Sequence, residues 1–326
     1  MSSAPGGTVF NRKTALAVLA TTAVLTMTAC SSSSGTSATA SGSSAAAGGA
    51  ADVKIAMVVH GGAGDAFWSD VKTGGEDAAS LTGVQLDYQT SDDLKQQGDF
   101  INAAVAQNVQ GLIVSVPTVE ALTAPIKAAE DAGIPVMVIN SGADDWEALG
   151  AVGFVGQQES VAGEAAGTAM KEAGVTSLLC VNITQVIKAV DQRCESATES
   201  FGGPVQTVRI DPADTAAGTA QITATLQSNP SIDGVLPLGA GVFPQASAAI
   251  KQANSSAKIG TFDVTKEITA GVKDGSVAFA IDQQPYIQGY QAVISEALLI
   301  NKNLLIGGGT SPVASGPRVL TQTNIG

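Results

Sequence analysis

The chain has 326 residues, of which 44% are hydrophobic and only 14% are charged. This length and apolar content are enough for a sizeable core and favour more than one domain. The 16 basic and 29 acidic residues give a net charge of −13, which argues against nucleic acid as a partner, because phosphate binding needs cationic side chains. One histidine and three cysteines leave too few ligands for a zinc site built from these residues. We expect no cofactor and no metal.

The first 29 residues have the pattern of an export signal. Arg12 and Lys13 precede an apolar run at 15–25, which is shorter than the roughly 20 residues that a membrane-spanning helix needs. Small residues then stand directly before Cys30. This junction resembles a bacterial lipoprotein signal, in which the cysteine is lipidated and becomes the first residue of the mature protein. The alternative is an ordinary secretory signal in which Cys30 has no role.

Residues 30–52 have the composition of a flexible tether. After Cys30 the segment consists almost only of Ser, Gly, Ala and Thr, and it shows no apolar periodicity from which a core could form. A tether directly after a lipidated cysteine is what an anchored domain requires. The sequence therefore predicts an exported protein in the cell envelope, held by lipid at the outer face of the cytoplasmic membrane.

From Val53 onward, apolar strand-like runs alternate with amphipathic helix-like runs, which is typical of parallel sheets covered by helices on both faces. The predicted strands are 53–59, 84–88, 112–116, 135–139, 152–155, 177–181, 205–210, 234–238, 258–262 and 277–281. The predicted helices include 67–80, 95–107, 119–131, 160–172, 217–227 and 244–253. This number of strands indicates two sheets rather than one, so the predicted fold is α/β.

In open parallel sheets, ligands bind beyond the carboxyl ends of the strands. His60 follows the first strand directly, and Gly62, Gly64, Phe67 and Trp68 come next. The two glycines are typical of a dinucleotide-binding loop, but Phe67 stands where that motif needs its third glycine, so we disfavour a nucleotide. Aromatic rings usually lie in a core. Two adjacent rings on one helix point in different directions, however, and a ring at this edge would suit the apolar face of a sugar.

An opening segment and five further motifs occur in a characteristic order. They are 54–60 with 65–68, then 133–136 before 140–141, 155–158 before 162–167, 191–193, 260–263 and 280–286. In this order and spacing the motifs resemble the bacterial extracytoplasmic solute-binding proteins of the ribose-binding type, which are the type I periplasmic sugar-binding receptors of ABC transporters. The similarity covers residues 53–326.

The resemblance implies two Rossmann-like parallel-sheet lobes joined by a hinge of three crossings, with the ligand enclosed between the lobes. Lobe one is expected at 53–156 plus 284–313, and lobe two at 157–283 plus 314–326. The implied partners are a small carbohydrate or polyol, an ABC permease and its ATPase. The resemblance also implies a binding protein rather than an enzyme.

Nine residues are expected to contact the ligand, mostly from their match to the family's motifs. They are His60, Asp65, Phe67, Trp68, Asn140, Gln158, Arg193, Asp263 and Gln283. Carboxylates, amides and a guanidinium suit sugar hydroxyls, and aromatic faces cover C–H patches. Besides the core alternative for Phe67 and Trp68, alternatives stay open for four of the nine. His60 could be structural, Arg193 and Asp263 could form salt bridges, and Gln283 could belong only to the hinge.

The motifs also depart from the family pattern. Asn140 and Gln158 stand where many relatives have Asp, Gly241 stands where Asn or Asp is usual, and Thr215 where an aromatic residue is common. These changes predict a less acidic and roomier pocket than a pentose-specific one. A neutral sugar, polyol or inositol-like ligand fits, whereas a strongly anionic ligand fits poorly, with one mapped cation to neutralise it.

Cys180 lies in a predicted strand and Cys194 lies beside Arg193 in the following helix. With Cys30 modified, these two remain in an oxidising compartment, so we expect a disulfide between them. The alternative is two reduced, buried cysteines, because sequence does not show their separation.

An enzyme would need a nucleophile, a metal or an acid–base pair in a recognisable motif, and none is found. Asp144 and Asp145 form an acidic pair, which we interpret as a solvated helix start. A secreted carbohydrate-active enzyme that uses carboxylates alone is the main alternative function. A transcription regulator of related fold is remote, because the chain has an export signal and no DNA-binding headpiece.

Overall fold

The computed structural model describes residues 53–62, 64–184 and 187–326, in which strands and helices alternate. The predicted signal, the tether and Cys30 lie outside the described residues. The strands are β1 Lys54–His60, β2 Gln85–Ser91, β3 Gly111–Val114, β4 Val136–Ile139, β5 Gly153–Gln157, β6 Leu178–Ile183, β7 Val205–Ile210, β8 Gly234–Pro237, β9 Lys258–Ile259, β10 Thr261–Phe262, β11 Ala280–Asp282, β12 Val313–Gly316 and β13 Arg318–Leu320.

The helices of the same part of the chain are α1 Ala66–Thr82, α2 Leu94–Ala106, α3 Val119–Asp131, α4 Glu159–Glu172, α5 Lys188–Phe201, α6 Thr215–Ser228, α7 Phe243–Gln252, α8 Lys266–Asp274 and α9 Pro285–Lys302. A short 3-10 helix follows at Ile306–Gly309. Among the described residues, no helix combines the length and the apolar character needed to cross a bilayer.

Local sequence explains where many of these helices begin and end. Asp65, Asp93 and Asp214 precede α1, α2 and α6, and each side chain accepts a hydrogen bond from a backbone N–H of the first turn. At the other end, Gly83 and Gly202 close α1 and α5 in the left-handed conformation that glycine adopts without strain. The cap at Asp65 also fixes where the chain turns after β1.

The first lobe is built on a six-stranded parallel sheet with the strand order β12-β5-β4-β3-β1-β2. Its central strands are buried on both faces, as helices on both sides require. One apolar cluster includes Ile101 and Leu122 from α2 and α3. The other includes Val71 and Val293 from α1 and α9, so the helix that follows the second crossing completes this lobe.

The second lobe contains a four-stranded parallel sheet, β7-β6-β8-β9, and a three-stranded sheet, β10-β11-β13, in which β13 runs antiparallel to β11. The predicted strand 258–262 is interrupted at Gly260, and β9 and β10 join different sheets. A side chain at Gly260 would lie 2.3 Å from the ring of Phe279, so the residue between the two strands has to be a glycine. The described residues therefore contain three sheets, not two.

The chain passes between the lobes after β5, after β11 and between β12 and β13. The predicted α/β fold with two parallel-sheet lobes and three crossings is confirmed. The predicted boundary between the lobes at residue 313 differs from the structure, because β12 pairs with β5 of the first lobe as far as Gly316.

Candidate functional site

A cavity of about 440 Å³ lies between the two lobes, where β1, β4, β6, β8, β10 and β11 end. Both lobes and the crossing after β11 contribute to its wall. Eight of the nine residues predicted to bind a ligand line it, namely His60, Asp65, Phe67, Trp68, Asn140, Arg193, Asp263 and Gln283. The carboxyl ends of the parallel strands thus bring together residues up to 223 positions apart in the chain.

Gln158 is the predicted site residue that does not line this cavity. It is the N-cap of α4, where its side chain is exposed and makes no capping hydrogen bond. The next residue, Glu159, is buried instead and contacts Arg193. Successive helix residues point about 100° apart, since an α-helix has 3.6 residues per turn. Gln158 therefore faces solvent, whereas Glu159, one residue later, supports the site.

His60, Phe67 and Trp68 form an aromatic corner in the first lobe. Trp68 meets His60 edge to face at 4.7 Å between ring centroids and meets Phe67 at 5.0 Å. Trp68 is only 6% exposed and packs in the core beneath the sheet edge, whereas His60 and Phe67 are half-buried. Trp68 therefore fits the interpretation of the pair as core residues, whereas Phe67 fits the ligand-binding interpretation and presents its ring to the cavity.

The imidazole of His60 is held in its neutral form. Its Nδ1 lies 2.8 Å from the hydroxyl of Ser115, and its backbone N–H donates to the same hydroxyl oxygen. Burial, together with the positive charge of Arg193, lowers the pKa of His60 to about 4. With Nδ1 engaged by Ser115, Nε2 is the ring nitrogen that remains for a ligand.

A hydrogen-bonded chain that we call the inner bridge joins the lobes at the back of the cavity. The amide of Asn140 donates to Gln283 at 3.3 Å, and the amide of Gln283 donates to Asp263 at 2.5 Å. Asn140 and Gln283 are buried, and Asp263 also accepts from the backbone N–H of Ala240. Gln283 lies in the crossing between β11 and α9. It can therefore belong to the hinge and also contact a ligand, so the two predicted roles do not exclude each other.

Arg193 is buried on the second-lobe side and pairs with Glu159. Its Nε and Nη2 donate to the two oxygens of that carboxylate at 2.6 and 2.8 Å, and its Nη1 donates to the carbonyl of Leu238 at 2.9 Å. Burial disfavours the charge, but Glu159 outweighs it, so the pKa of Arg193 is raised. Arg193 thus forms the salt bridge that was the predicted alternative to ligand binding, and its guanidinium lines the cavity as well.

Glycines bring the helices of this ion pair close together. A side chain at Gly163 would lie 2.5 Å from the carbonyl oxygen of Arg193, and one at Gly167 would lie 2.2 Å from that of Ala197. Because α4 approaches α5 through these two positions, Glu159 at the start of α4 reaches the guanidinium. The Ala-Gly pattern of 162–167, read as a family motif, thus has a packing role.

An apolar wall in the second lobe was missing from the predicted set. Ile183, Val190, Leu238, Val242 and Val264 line the cavity. Ile183 ends β6, Leu238 follows β8, and Val264 lies just after β10. Their place after the strands is the sequence signal for these residues, although aliphatic side chains there are equally typical of a core.

Asp144 and Asp145 lie in a turn after β4 and not at a helix start. From the first lobe they reach α5 of the second. Lys188 donates to Asp145 at 3.0 Å, and the amide of Gln192 donates to Asp144 at 2.6 Å. The side chains of Lys188 and Asp144 are 54% and 51% exposed. We call this set of contacts the outer bridge.

Cys180 in β6 and Cys194 in α5 are joined in the structure by a disulfide, with their Cα atoms 6.3 Å apart. The bond links the helix that carries Arg193 to β6, one of the two central strands of the four-stranded sheet. This arrangement fastens the position of the guanidinium relative to the strand ends around the cavity.

Comparison with known proteins agrees with this geometry. Residues 55–302 match the family model described as "Periplasmic binding protein domain". A carbohydrate transporter from Acidothermus cellulolyticus, solved in complex with myo-inositol, is 38% identical, covers 84% of this chain and 95% of its own, and superimposes with a TM-score of 0.80. The xylose/arabinose-binding protein XylF of Sulfolobus acidocaldarius is 24% identical over 79% of this chain and 69% of its own.

A solute-binding protein of an ABC transporter from Burkholderia graminis, in complex with D-arabinose, shares the fold. Its TM-score is 0.75 at 20% identity, over 85% of this chain and 97% of its own. The family model covers most of the chain, which confirms the resemblance seen in the motifs. The family consists of extracytoplasmic binding proteins, so the chain is exported and is not an enzyme. The chain belongs to the periplasmic binding protein family.

Proposed function

We propose that the protein is the substrate-binding lipoprotein of a sugar-type ABC importer and binds a neutral sugar, polyol or inositol-like ligand between its lobes. The observation that carries this proposal is the cavity of about 440 Å³, to which both lobes contribute polar side chains. Its volume is in the range of small-molecule sites, about 300–1,000 Å³. The 38% identical structure with myo-inositol supports a ligand of this size and chemistry.

The lining suits a ring that carries many hydroxyl groups. Asp65 and Asp263 accept hydrogen bonds, the side-chain amide of Asn140 both donates and accepts, and Arg193 donates. The half-buried ring of Phe67 and the aliphatic wall of the second lobe can cover the C–H faces of the ligand. A cyclic polyol offers both kinds of surface, with hydroxyls at its rim and C–H groups on its faces.

Ligand binding and lobe closure are coupled in this proposal. Asp65, Phe67 and Asn140 belong to the first lobe, and Arg193 and Asp263 to the second. A ligand that touches both sets interacts more strongly with the closed arrangement, and only such differential binding can shift the equilibrium towards closure. The closed form would then be the one that the permease recognises, with its ATPase driving transport.

Calorimetry of the purified protein with myo-inositol, D-arabinose, D-xylose, D-allose and D-glucose tests the ligand class, with L-leucine as a control. We expect saturable binding of at least one neutral polyol or sugar. A thousandfold excess over the dissociation constant should stabilise the fold by about 4 kcal/mol, and the ligand should be recovered unchanged. Binding of L-leucine with no response to any polyol or sugar would overturn the proposal.

The anchor is a separate part of the proposal and rests on Cys30, which lies outside the described residues. If Cys30 carries the lipid, a Cys30→Ser variant should move from the membrane fraction to the medium or the soluble fraction. A wild-type protein that is already soluble and begins at another residue would show that lipid anchoring is wrong, without affecting the ligand proposal.

A further inference from the structure

Arg193 is the only lysine or arginine among the described residues that line the cavity, and its charge is already matched. Its side chain is 7% exposed, and that of its partner Glu159 is 2% exposed. Glu159 does not itself line the cavity. It does line a neighbouring cavity, which shares Asn140 and Ala189 with this one. Its ion-pair contact with the cavity wall is Arg193.

The pair is fixed in one geometry. Of the five N–H groups of a guanidinium, three are used by Glu159 and the carbonyl of Leu238. The amide of Gln157 also donates to Glu159, at 2.9 Å, and the guanidinium lies 4.8 Å from the ring centroid of Phe262. The remaining two N–H groups can donate to a ligand, but the carboxylate offsets part of the positive charge behind them, and the rest still acts on His60.

The other charged side chains of the cavity are carboxylates. Asp65, Asp70, Asp263 and Asp282 line it, and the pKa of Asp282 is raised chiefly by burial, with a further contribution from the charge of Asp263. A ligand that carries a carboxylate would meet these groups without an uncompensated cation to offset the repulsion. A neutral polyol would meet the same oxygens as hydrogen-bond acceptors.

We propose that Glu159 determines specificity, because its carboxylate neutralises Arg193 and so makes the cavity select neutral polyols and reject acidic sugars such as uronic acids. The inference rests on the proposed function, since it concerns the ligand class of the same cavity. Removing the charge of Glu159 while keeping its shape takes away the ion-pair partner of Arg193, whose charge then faces the ligand with Asp263 as the other carboxylate that acts on it. A ligand carboxylate can then take the place of the Glu159 charge.

The test compares dissociation constants for myo-inositol and D-glucuronate at neutral pH in four proteins: wild type, Glu159→Gln, Glu159→Asp and Asp191→Asn. Asp191 is a matched control, because it also pairs with an arginine, Arg209, lies on α5 like Arg193, and does not line the cavity. Its substitution changes the net charge by the same amount. Glu159→Asp keeps the charge but shortens the side chain.

We expect wild type to prefer myo-inositol by at least about tenfold, and Glu159→Gln to shift this ratio towards glucuronate by at least about tenfold. Glu159→Asp and Asp191→Asn should keep the wild-type preference. If Glu159→Gln weakens the binding of myo-inositol and of D-glucuronate by the same factor, Glu159 has only a structural role and the inference is wrong.

The preference of wild type for myo-inositol can be measured without any variant. Equal binding of myo-inositol and D-glucuronate by wild type therefore overturns the inference, even if Glu159→Gln does not fold. Failure of the proposed function has a different signature. In that case wild type binds neither myo-inositol nor any other neutral compound of the panel described above.

Discussion

The inner and outer bridges both connect the lobes, yet their surroundings are opposite. In the inner bridge, Asn140 and Gln283 are 8% and 3% exposed, and the chain of hydrogen bonds ends on Asp263 in the cavity. In the outer bridge, Lys188 is 54% exposed and pairs with carboxylates at the rim. The first is built from amides with one carboxylate, and the second mostly from ions.

This difference indicates a division of roles. A buried polar group that loses its partner stays unsatisfied, which costs about 1–3 kcal/mol, whereas an exposed ion pair is worth about 0–1 kcal/mol and is screened by salt. The inner bridge should therefore set the affinity for the ligand and the geometry of the cavity. The outer bridge should add a small, salt-dependent preference for the closed form.

The largest expected effect is that of Asp263→Ala on ligand affinity. The substitution removes a proposed acceptor for ligand hydroxyls and leaves the side-chain N–H of Gln283 without its acceptor. We expect affinity to fall by about 3 kcal/mol, which is more than a hundredfold. Calorimetry with the neutral ligand that wild type binds best measures this change.

Asp274→Ala is the matched control for that substitution, because Asp274 is exposed at the end of α8 and does not line the cavity. It should bind as wild type does. An Asp263→Ala protein whose affinity stays within threefold of wild type would contradict the role given to the inner bridge.

The next effect is that of Gln283→Leu on stability and affinity together. Leucine keeps most of the volume but removes the acceptor of the Asn140 side-chain N–H and the side-chain donor to Asp263 Oδ1, next to the buried Asn140. We expect the free energy of unfolding of the unliganded protein to fall by about 2 kcal/mol. Denaturant unfolding measures it, and calorimetry follows the accompanying loss of affinity.

Gln192→Leu applies the same chemical change to the outer bridge and serves as the comparison. Its amide partner Asp144 is half exposed and can turn to water, so we expect a loss below about 0.5 kcal/mol. Equal losses in the two variants would remove the distinction between the bridges.

The third effect concerns His60, which lies on the buried side of the cavity. Its pKa in the folded protein is about 4, against an ordinary value of 6.5. The unfolded chain therefore takes up a proton first, and the stability that neutral His60 contributes is lost as the pH falls from 6.5 to about 4. After allowance for its partial exposure we expect a loss of about 1 kcal/mol.

His60 is the one histidine of the chain, so its titration can be followed by NMR without assignment. The imidazole signal should have its midpoint near 4. In His60→Asn, stability should fall less than in wild type over the same pH range, and the difference isolates this residue from the carboxylates. A midpoint near 6.5 would show that the imidazole is solvated.

Much of the fold and part of the site could be predicted because they depend on local pattern. The ten predicted strands all have counterparts, and the turn from His60 to Trp68 follows from the end of β1 and the cap at Asp65. The edge strands β12 and β13 were not predicted, since they are short and β12 consists of small residues. Without a long apolar run, such strands are defined only by the neighbours they pair with.

The missed features of the site depend on contacts between distant segments. The exchange of roles between Gln158 and Glu159 depends on how α4 packs against α5, which the helix period alone does not specify. The partners of Asp144 and Asp145 lie in the other lobe, so no local signal distinguishes these residues from a solvated turn. The sequence thus predicted which strand ends meet. It did not predict the ion pairs that form when the lobes come together.

The smallest expected effect is that of Asp145→Asn, and its salt dependence is more informative than its size. The pair with Lys188 is made across the cleft at 3.0 Å, so it exists only when the lobes are close together. Removing the charge should favour the open form and weaken binding of a neutral ligand by about 0.5 kcal/mol, or roughly twofold, at low salt.

At an ionic strength of about 1 M the charges are screened beyond about 3 Å, so wild type and Asp145→Asn should bind the neutral ligand equally well. Asp131→Asn is the matched control, because Asp131 pairs with Lys127 at 2.9 Å on the exposed face of α3, away from the cleft. It should match wild type at every salt concentration. Since the ligand has no charge to be screened, a salt-dependent difference confined to Asp145→Asn can come only from the outer bridge. Its absence would show that the Lys188–Asp145 pair does not contribute to holding the closed form.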